Sequence, residues 1–177
     1  VHHISMSPAT ETLAVGSSRQ FTATAYDIYN NAIAGASFTW TTNVGTVSST
    51  GLFTARTVPG TGTVTAAIGS VSATANVTIL IGVLDHILVL PNPASVAVGT
   101  FAQFTAAGYD AYNNLITGTS FSWTTNVGLV NSTGYFTALT SPAVGWVRAT
   151  SGAVSGNALV TIVAGQLHHI MVTPSPV

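Results

Sequence analysis

The sequence predicts an all-β chain of two tandem β-sandwiches, and three observations lead there. The chain is one segment written twice, because Asp27 and Asp110, like Trp40 and Trp123, are 83 positions apart. Apolar and polar residues alternate with the period of two that is typical of half-buried strands, and no window has a helical period. Turn-forming residues interrupt this pattern every ~8–12 positions, as in sandwiches of short strands.

Each copy is predicted to contain about seven short antiparallel strands, the number typical of one small sandwich. The last strand of the first copy shows the pattern clearly, since Ala75, Val77 and Ile79 share one face and polar residues share the other. Glycine, proline or Asn-Asn pairs separate the strands. In the first copy the strands are expected near residues 2–7, 12–15, 19–27, 37–42, 51–55, 61–68 and 71–80.

The repeat sets the predicted domain boundaries at residues 1–83 for the first copy and 84–166 for the second. Residues 167–177 repeat the opening of the first copy without the rest of it. An unpaired strand carrying Leu167, Ile170 and Val172 would be an exposed, adhesive edge. We therefore expect 167–177 to be the first strand of a third repeat or a strand that pairs with a neighbouring subunit.

Aromatic residues on the inward-facing positions form the predicted cores. Trp40 and Trp123 fall on the third or fourth strand, where immunoglobulin-like sandwiches place a central tryptophan. No cysteine is present, so packing alone must hold each copy. The predicted core aromatics are Phe21, Trp40 and Phe53 in the first copy and Phe104, Trp123 and Phe136 in the second.

Longer motifs recur in both copies and point to a family. The first copy reads LAVGSSRQFTATAYDIYNN, SFTWTT and GLFTA, and the second reads VAVGTFAQFTAAGYDAYNN, SFSWTT and GYFTA. With these motifs the chain resembles the immunoglobulin-like repeats of bacterial and archaeal surface proteins, the Big-type group that includes invasin and intimin stalks. The resemblance covers nearly the whole chain twice, and it implies a stalk, adhesin or surface-layer module.

The composition excludes several classes of partner. Charged residues make up 4% of the chain, against ~25% in an average domain. With no lysine and a net charge of −1, the chain has no basic face for nucleic acid or anionic lipid. The longest apolar stretch, from Val77 to Leu90, is interrupted by polar residues and is shorter than the ~20 residues of a membrane span. This surface suits an extracellular, cell-surface location.

Asp27 and Asp110 share the inward parity of the strand before them, yet they are charged. We predict that each carboxylate accepts N–H bonds from the Tyr-Asn-Asn turn that follows it. The alternative is a calcium site that uses Asn30 in the first copy and Asn113 in the second. Calcium takes about six to eight oxygens and usually several carboxylates. Because each turn supplies one carboxylate, the turn-stapling role is favoured.

All five histidines lie at the starts of repeats. Adjacent residues on a strand point to opposite faces, so His2 and His3 cannot bind one metal ion from the same strand. We expect instead that His3, His86 and His169, which occupy equivalent places, pack at the junctions between repeats.

Two N-glycosylation sequons are present, Asn76-Val-Thr and Asn131-Ser-Thr. Asn76 has the outward parity of its strand, and Asn131 precedes a glycine in a turn. Both side chains are therefore predicted to be exposed and available for modification.

The sequence contains no constellation of titratable residues that an enzyme would need, and it implies no cofactor. We predict a structural repeat module of an extracellular stalk or filament. Its copies would act as rigid spacer beads, could polymerise by strand addition, and would have adjacent repeats or subunits as partners. The alternative is an adhesin or carbohydrate-binding module with surface glycans as partners, which an exposed row of aromatic side chains on one sheet face would favour.

Overall fold

The computed structural model describes residues 1–166, 168 and 170, and this part of the chain is all β. It contains 19 strands and no helix, and therefore no helix able to span a membrane, which confirms the predicted fold class. The strands are β1 (His3–Ser7), β2 (Thr10–Ala14), β3 (Ser18–Gln20), β4 (Thr22–Tyr26), β5 (Thr39–Thr42), β6 (Gly45–Val47), β7 (Leu52–Ala55), β8 (Gly60–Ile68), β9 (Val71–Leu80), β10 (His86–Leu90), β11 (Ala94–Ala97), β12 (Phe101–Gln103), β13 (Thr105–Tyr109), β14 (Leu115–Ile116), β15 (Ser122–Thr125), β16 (Gly128–Val130), β17 (Tyr135–Ala138), β18 (Ala143–Ser151) and β19 (Val154–Val163).

The chain divides into two compact units, one for each copy of the repeat. Unit 1 comprises Val1–Val83 together with the five-residue segment Asp110–Asn114. Unit 2 comprises Leu84–Tyr109 and the described residues from Leu115 onward. Unit 1 thus includes five residues of the second copy, and the domain boundaries given by the repeat stay a prediction.

Unit 1 packs a four-stranded sheet, β2-β9-β8-β5, against two smaller ones, β1-β4 and β3-β7-β6. The predicted strand at 19–27 is divided into β3 and β4 at Phe21. The backbone N–H of Phe21 donates to the carbonyl of Gly51 at 2.9 Å, and here the strand changes partner from β7 to β1. This division and the short strand β6 raise the count above the predicted seven.

One strand pair in each unit is parallel, which corrects the expectation of antiparallel pairing throughout. β1 pairs with β4, but β2 runs parallel to β9 in the other sheet, and β11 runs parallel to β19 in the same way. Pro8 lies between β1 and β2. A proline has no N–H for a ladder, so the first strand ends there and the chain continues in the second sheet.

Unit 2 repeats this arrangement with one addition. Its sheets are β11-β19-β18-β15, β12-β17-β16 and β10-β13-β14. The last of these includes β14, which pairs with β13, whereas unit 1 has a single bridge between Tyr26 and Ala32 at that place.

Phenylalanine pairs occupy the centres of both cores. Phe21 and Phe53 meet edge to face with ring centroids 6.0 Å apart, and Phe104 and Phe136 do so at 5.8 Å. All four side chains are fully buried. The tryptophans predicted as central plugs pack against the cores but are half-buried. The reason is topological, since Trp40 lies on β5 and Trp123 on β15, the outermost strands of their sheets.

Candidate functional site

Asp27 lies in the turn that follows β4, and its carboxylate organises that turn. Oδ1 accepts hydrogen bonds from the backbone N–H groups of Tyr29 and Asn31, each at 2.8 Å. Oδ2 accepts one from the Asn31 side chain at 3.0 Å. These bonds favour the ionised form, so the Asn31 side chain and then its backbone N–H lower the pKa of the Asp27 carboxyl.

Asp110 forms the corresponding turn after β13, and its carboxylate has one further partner, the backbone N–H of Gly82. Oδ1 accepts from the N–H groups of Tyr112 and Asn114 at 2.9 Å. Oδ2 accepts from the Asn114 side chain and from the N–H of Gly82, both at 2.9 Å. The residue is 1% exposed. Burial alone raises the pKa of the Asp110 carboxyl, but the bonds from Asn114, Gly82 and Tyr112 outweigh it and hold the pKa at about 2.

The asparagines of the alternative calcium site, Asn30 and Asn113, occupy other places in these turns than the carboxylate partners do. Asn30 and Asn113 are the left-handed residues of the turns, with φ of 62° and 63°. The side chains that contact the carboxylates belong instead to the next residues, Asn31 and Asn114. Throughout the described residues there is no cluster of three or more His, Cys, Asp or Glu side chains that could hold a metal ion. The geometry supports turn stapling.

The histidines at the repeat starts stack on tyrosines of their own units. His3 on β1 lies over Tyr26 with ring centroids 4.8 Å apart, and His86 on β10 lies over Tyr109 at 5.5 Å. His169, Leu167 and Val172 lie outside the described residues. Ile170 is described and is 76% exposed. Packing of these residues at a junction, or pairing of the tail (residues 167–177) as a strand, stays a prediction.

Both sequon asparagines are exposed, but they lie in different surroundings. Asn76 lies in the middle of β9, between its register partners Thr10 on β2 and Thr63 on β8. Asn131 lies in the turn between β16 and β17. Its Oδ1 accepts hydrogen bonds from the N–H and hydroxyl of Thr133 and from the N–H of Tyr135.

Two surface features of unit 2 were missed by sequence reasoning. On β18 the guanidinium of Arg148 lies 4.5 Å from the ring centroid of Trp146, and its Nε donates to Oδ1 of Asn157 at 2.7 Å. On the other side of the sandwich, Phe101 and Tyr135 stack with centroids 5.4 Å apart. Residue-by-residue alignment of the copies would have found both, since the first copy has small hydroxyl residues or leucine there. The corresponding residues are Thr63, Thr65, Thr74, Ser18 and Leu52.

The chain was compared with known proteins, and no model of a protein family matches it. It is 33% identical over 178 residues to Ice-binding protein 1 of Shewanella frigidimarina (strain NCIMB 400). That match covers 97% of this chain and 20% of the relative, so the chain spans about one fifth of the curated relative's length.

Among solved structures, domains 1–6 of the surface layer protein SbsC are 27% identical, with a TM-score of 0.41 over 84% of this chain and 23% of that one. Mouse cadherin-23 EC22–24 is 16% identical, with a TM-score of 0.55 over 93% of this chain and 67% of that one. The cadherin match concerns the fold alone, and it agrees with tandem β-sandwiches.

Proposed function

We propose that this chain is a structural repeat segment of an extracellular cell-surface stalk or filament, in which each sandwich is a rigid spacer bead. The observation that carries the proposal is that one sandwich is built twice around equivalent residues. The edge-to-face pairs Phe21–Phe53 and Phe104–Phe136 occupy the two cores. Repeating one unit increases the length of the protein and its number of units, and length is the property that a spacer provides.

The surface chemistry supports a location outside the cell. The 177 residues include only seven charged side chains, and threonine, serine and asparagine occupy most of the exposed strand positions of unit 1. This agrees with the resemblance to surface-protein repeats of the invasin and intimin group. The named activity of the ice-binding relative is not part of the proposal, because the match covers one fifth of that protein.

Strand addition is the proposed route by which such a segment would join the next repeat or subunit. In unit 1, β1 lies against β4 with five registered pairs, from His3↔Tyr26 to Ser7↔Thr22, and buries Ile4. The tail repeats this strand, with His169 and Ile170 in the places of His3 and Ile4. We propose that a tail strand occupies the β1 position of the following sandwich.

A replacement experiment separates a spacer from a binding module. In the full-length protein on its native cells, residues 1–166 are deleted or exchanged for two unrelated sandwiches of equal length. Electron microscopy of a tag beyond the segment measures its distance from the cell envelope. Deletion should shorten that distance, and the exchange should restore both the distance and the activity of the whole protein. Restored distance with lost activity would overturn the spacer role.

Carbohydrate binding is the second candidate, and the Trp146–Arg148 pair favours it. An indole face with a guanidinium and the Asn157 amide beside it combines an apolar platform with hydrogen-bonding groups, a combination found in ligand sites. The test is a glycan array probed with the native chain and with Trp146→Thr, which restores the first copy's residue. Binding that Trp146→Thr removes would support this function, and equal signals would exclude Trp146 as its platform.

A further inference from the structure

The turn that holds Asn131 is built the same way in both copies, but with different residues. In the first copy Ser48 occupies this place, and its Oγ accepts from the N–H groups of Thr50 at 3.2 Å and Leu52 at 3.1 Å. In the second copy the Oδ1 of Asn131 accepts from the N–H groups of Thr133 and Tyr135, both at 2.9 Å. A serine therefore suffices to cap this turn, and the asparagine adds an amide nitrogen that the turn does not require.

That amide nitrogen is accessible and unused. In the described part of the chain, Nδ2 of Asn131 has no hydrogen-bond partner, whereas Oδ1 has three donors. Asn131, Ser132 and Thr133 are all exposed, so the whole sequon projects from the fold. A group attached to Nδ2 would leave the capping bonds at Oδ1 intact.

An apolar platform accompanies this asparagine. Next to the turn, on the outer face of β12-β17-β16, Phe101 is 58% exposed, Tyr135 42% and Leu129 74%. Phe101 and Leu129 are both register partners of Thr137, so the three apolar side chains share one face. The corresponding residues of the first copy are Ser18, Leu52 and Thr46. The sequon at Asn131 and the aromatic pair thus occur together in the second copy, and the equivalent positions of the first copy carry neither.

We propose that Asn131 carries an N-linked oligosaccharide and that its first sugars lie on the Phe101–Tyr135 platform. The C–H face of a sugar ring is apolar and weakly positive, which complements the negative face of an aromatic ring. The attached glycan would cover side chains that otherwise expose a contiguous apolar patch to water. The proposal goes beyond the spacer role and rests on the cell-surface location proposed above.

The attachment is a substitution at the sugar. Nδ2 of Asn131 bonds to the anomeric carbon of an oligosaccharide carried on a lipid phosphate or diphosphate. The bond from that carbon to the phosphate oxygen breaks, the lipid phosphate leaves, and one amide proton passes to the transferase. The donor and the transferase come from the host cell.

Asn76 provides an internal control for the same chemistry. Its sequon is part of β9, which is hydrogen-bonded to β2 on one side and β8 on the other, and Val77 in the middle of the sequon is buried. A transferase that needs the three residues in its own cleft reaches them only before the sheet forms. The Asn131 turn stays accessible in the folded chain, so its occupancy should be the higher of the two.

The first experiment measures occupancy on the native protein. Intact cells are treated with protease to establish surface exposure, and glycopeptide mass spectrometry then compares the peptides that contain Asn131 and Asn76. A surface-exposed protein with Asn131 more occupied than Asn76 supports the proposal. A surface-exposed protein with Asn131 bare, or less occupied than Asn76, overturns it and leaves the spacer role intact. A protein that the protease on intact cells cannot reach overturns both.

The second experiment tests the platform with variants that restore first-copy residues. Asn131→Ser is compared with the native residue in two backgrounds, the native chain and the Phe101→Ser/Tyr135→Leu variant, all made in the native host. Asn131→Ser should lower the melting temperature of the native chain by about 4 °C or more and leave that of the variant background nearly unchanged. Equal shifts in both backgrounds would overturn the contact with the platform.

A matched control isolates the sugar from the turn. The same four proteins are made in a host without an oligosaccharyltransferase. There Asn131→Ser should have no effect on the melting temperature, because Ser48 shows that serine caps this turn. A drop of the same size as in the native host would assign the effect to the turn and overturn the stabilising role of the glycan.

Discussion

The carboxylate of Asp110 shows how a single acid group can stabilise a nearly uncharged fold. Its pKa of about 2 in the folded chain is below the ordinary aspartate value of 3.8. The unfolded chain therefore binds more protons between these values, and stability rises with pH across that window. The contribution is fully present above about pH 4 and is lost as the pH falls through about 2. Asp27, whose pKa is also lowered, adds to the same trend.

We therefore expect the free energy of unfolding to be nearly constant from about pH 5 to 8 and to fall between about pH 4 and 2. Asp110→Asn should lower stability near neutral pH, because an amide cannot accept all the bonds from Gly82 and Asn114. It should also flatten the fall in acid. Urea unfolding across pH 2–8 measures both effects. Asp85→Asn is the control, since the partner of that exposed carboxylate among the described residues is His86, and an equal effect from it would contradict the role of Asp110.

Gly156 shows that the second copy has a closer strand contact than the first. A Cβ at this position would overlap the carbonyl oxygen of Ile87 on β10, whereas the first copy has Ala73 at the equivalent position. Gly156→Ala should therefore destabilise unit 2 by about 1–3 kcal/mol through overpacking. Ser155→Ala, an exposed change next to it, is the control in thermal unfolding. A neutral Gly156→Ala would mean that β10 can move away freely.

At the scale of elements, the strand on which an aromatic residue lies determines how much that residue contributes to stability. Phe136 on β17 is fully buried against Phe104, whereas Trp123 on the edge strand β15 is half-buried. Phe136→Ala should cost about 3–5 kcal/mol of unfolding free energy, as large-to-small changes in a core do. Trp123→Ala should cost less despite the larger side chain, because part of its ring already contacts water. Calorimetry of both variants measures the two losses of stability. A larger loss for Trp123→Ala than for Phe136→Ala would contradict this ranking and would show that the tryptophan is the central core residue.

The strands that alternate strictly could be predicted from sequence, and the exceptions have physical causes. In β9 the alternation is supported on both sides by neighbouring strands, so polarity and burial agree from Val71 to Ile79. The division of the predicted strand 19–27 at Phe21 arises because β3 pairs with β7 and β4 pairs with β1. The residue pattern of the strand does not indicate these pairing partners. The turns at Asp27 and Asp110 could be predicted because their bonds are local. The bond from Gly82 to Asp110 could not, because 28 residues separate the two.

At the scale of the whole molecule, stability should respond weakly to ionic strength. The described residues contain one ion pair between Arg19 and Glu11 at 3.0 Å and one contact between His86 and Asp85 at 3.1 Å, which is an ion pair only when the imidazole is protonated; both are partly exposed. Exposed pairs of this kind contribute about 0–1 kcal/mol, and salt screens that contribution. Raising sodium chloride from about 0.05 to 0.5 M should therefore shift the unfolding midpoint in urea by little. A large loss of stability over this range would show that charge interactions hold the fold.

The parallel pairing of β2 with β9 has a consequence when the chain bears tension. The two strands share five registered pairs, from Thr10↔Asn76 to Ala14↔Leu80, and the chain enters β2 at one end of the pair and leaves β9 at the other. A pull along the chain therefore slides the strands past each other in shear, so that the bonds between them carry the load together instead of opening one after another. β11 and β19 repeat this geometry in the second copy. In this chain, which has no cysteine, the backbone hydrogen bonds of these two strand pairs thus resist stretching without the help of a disulfide.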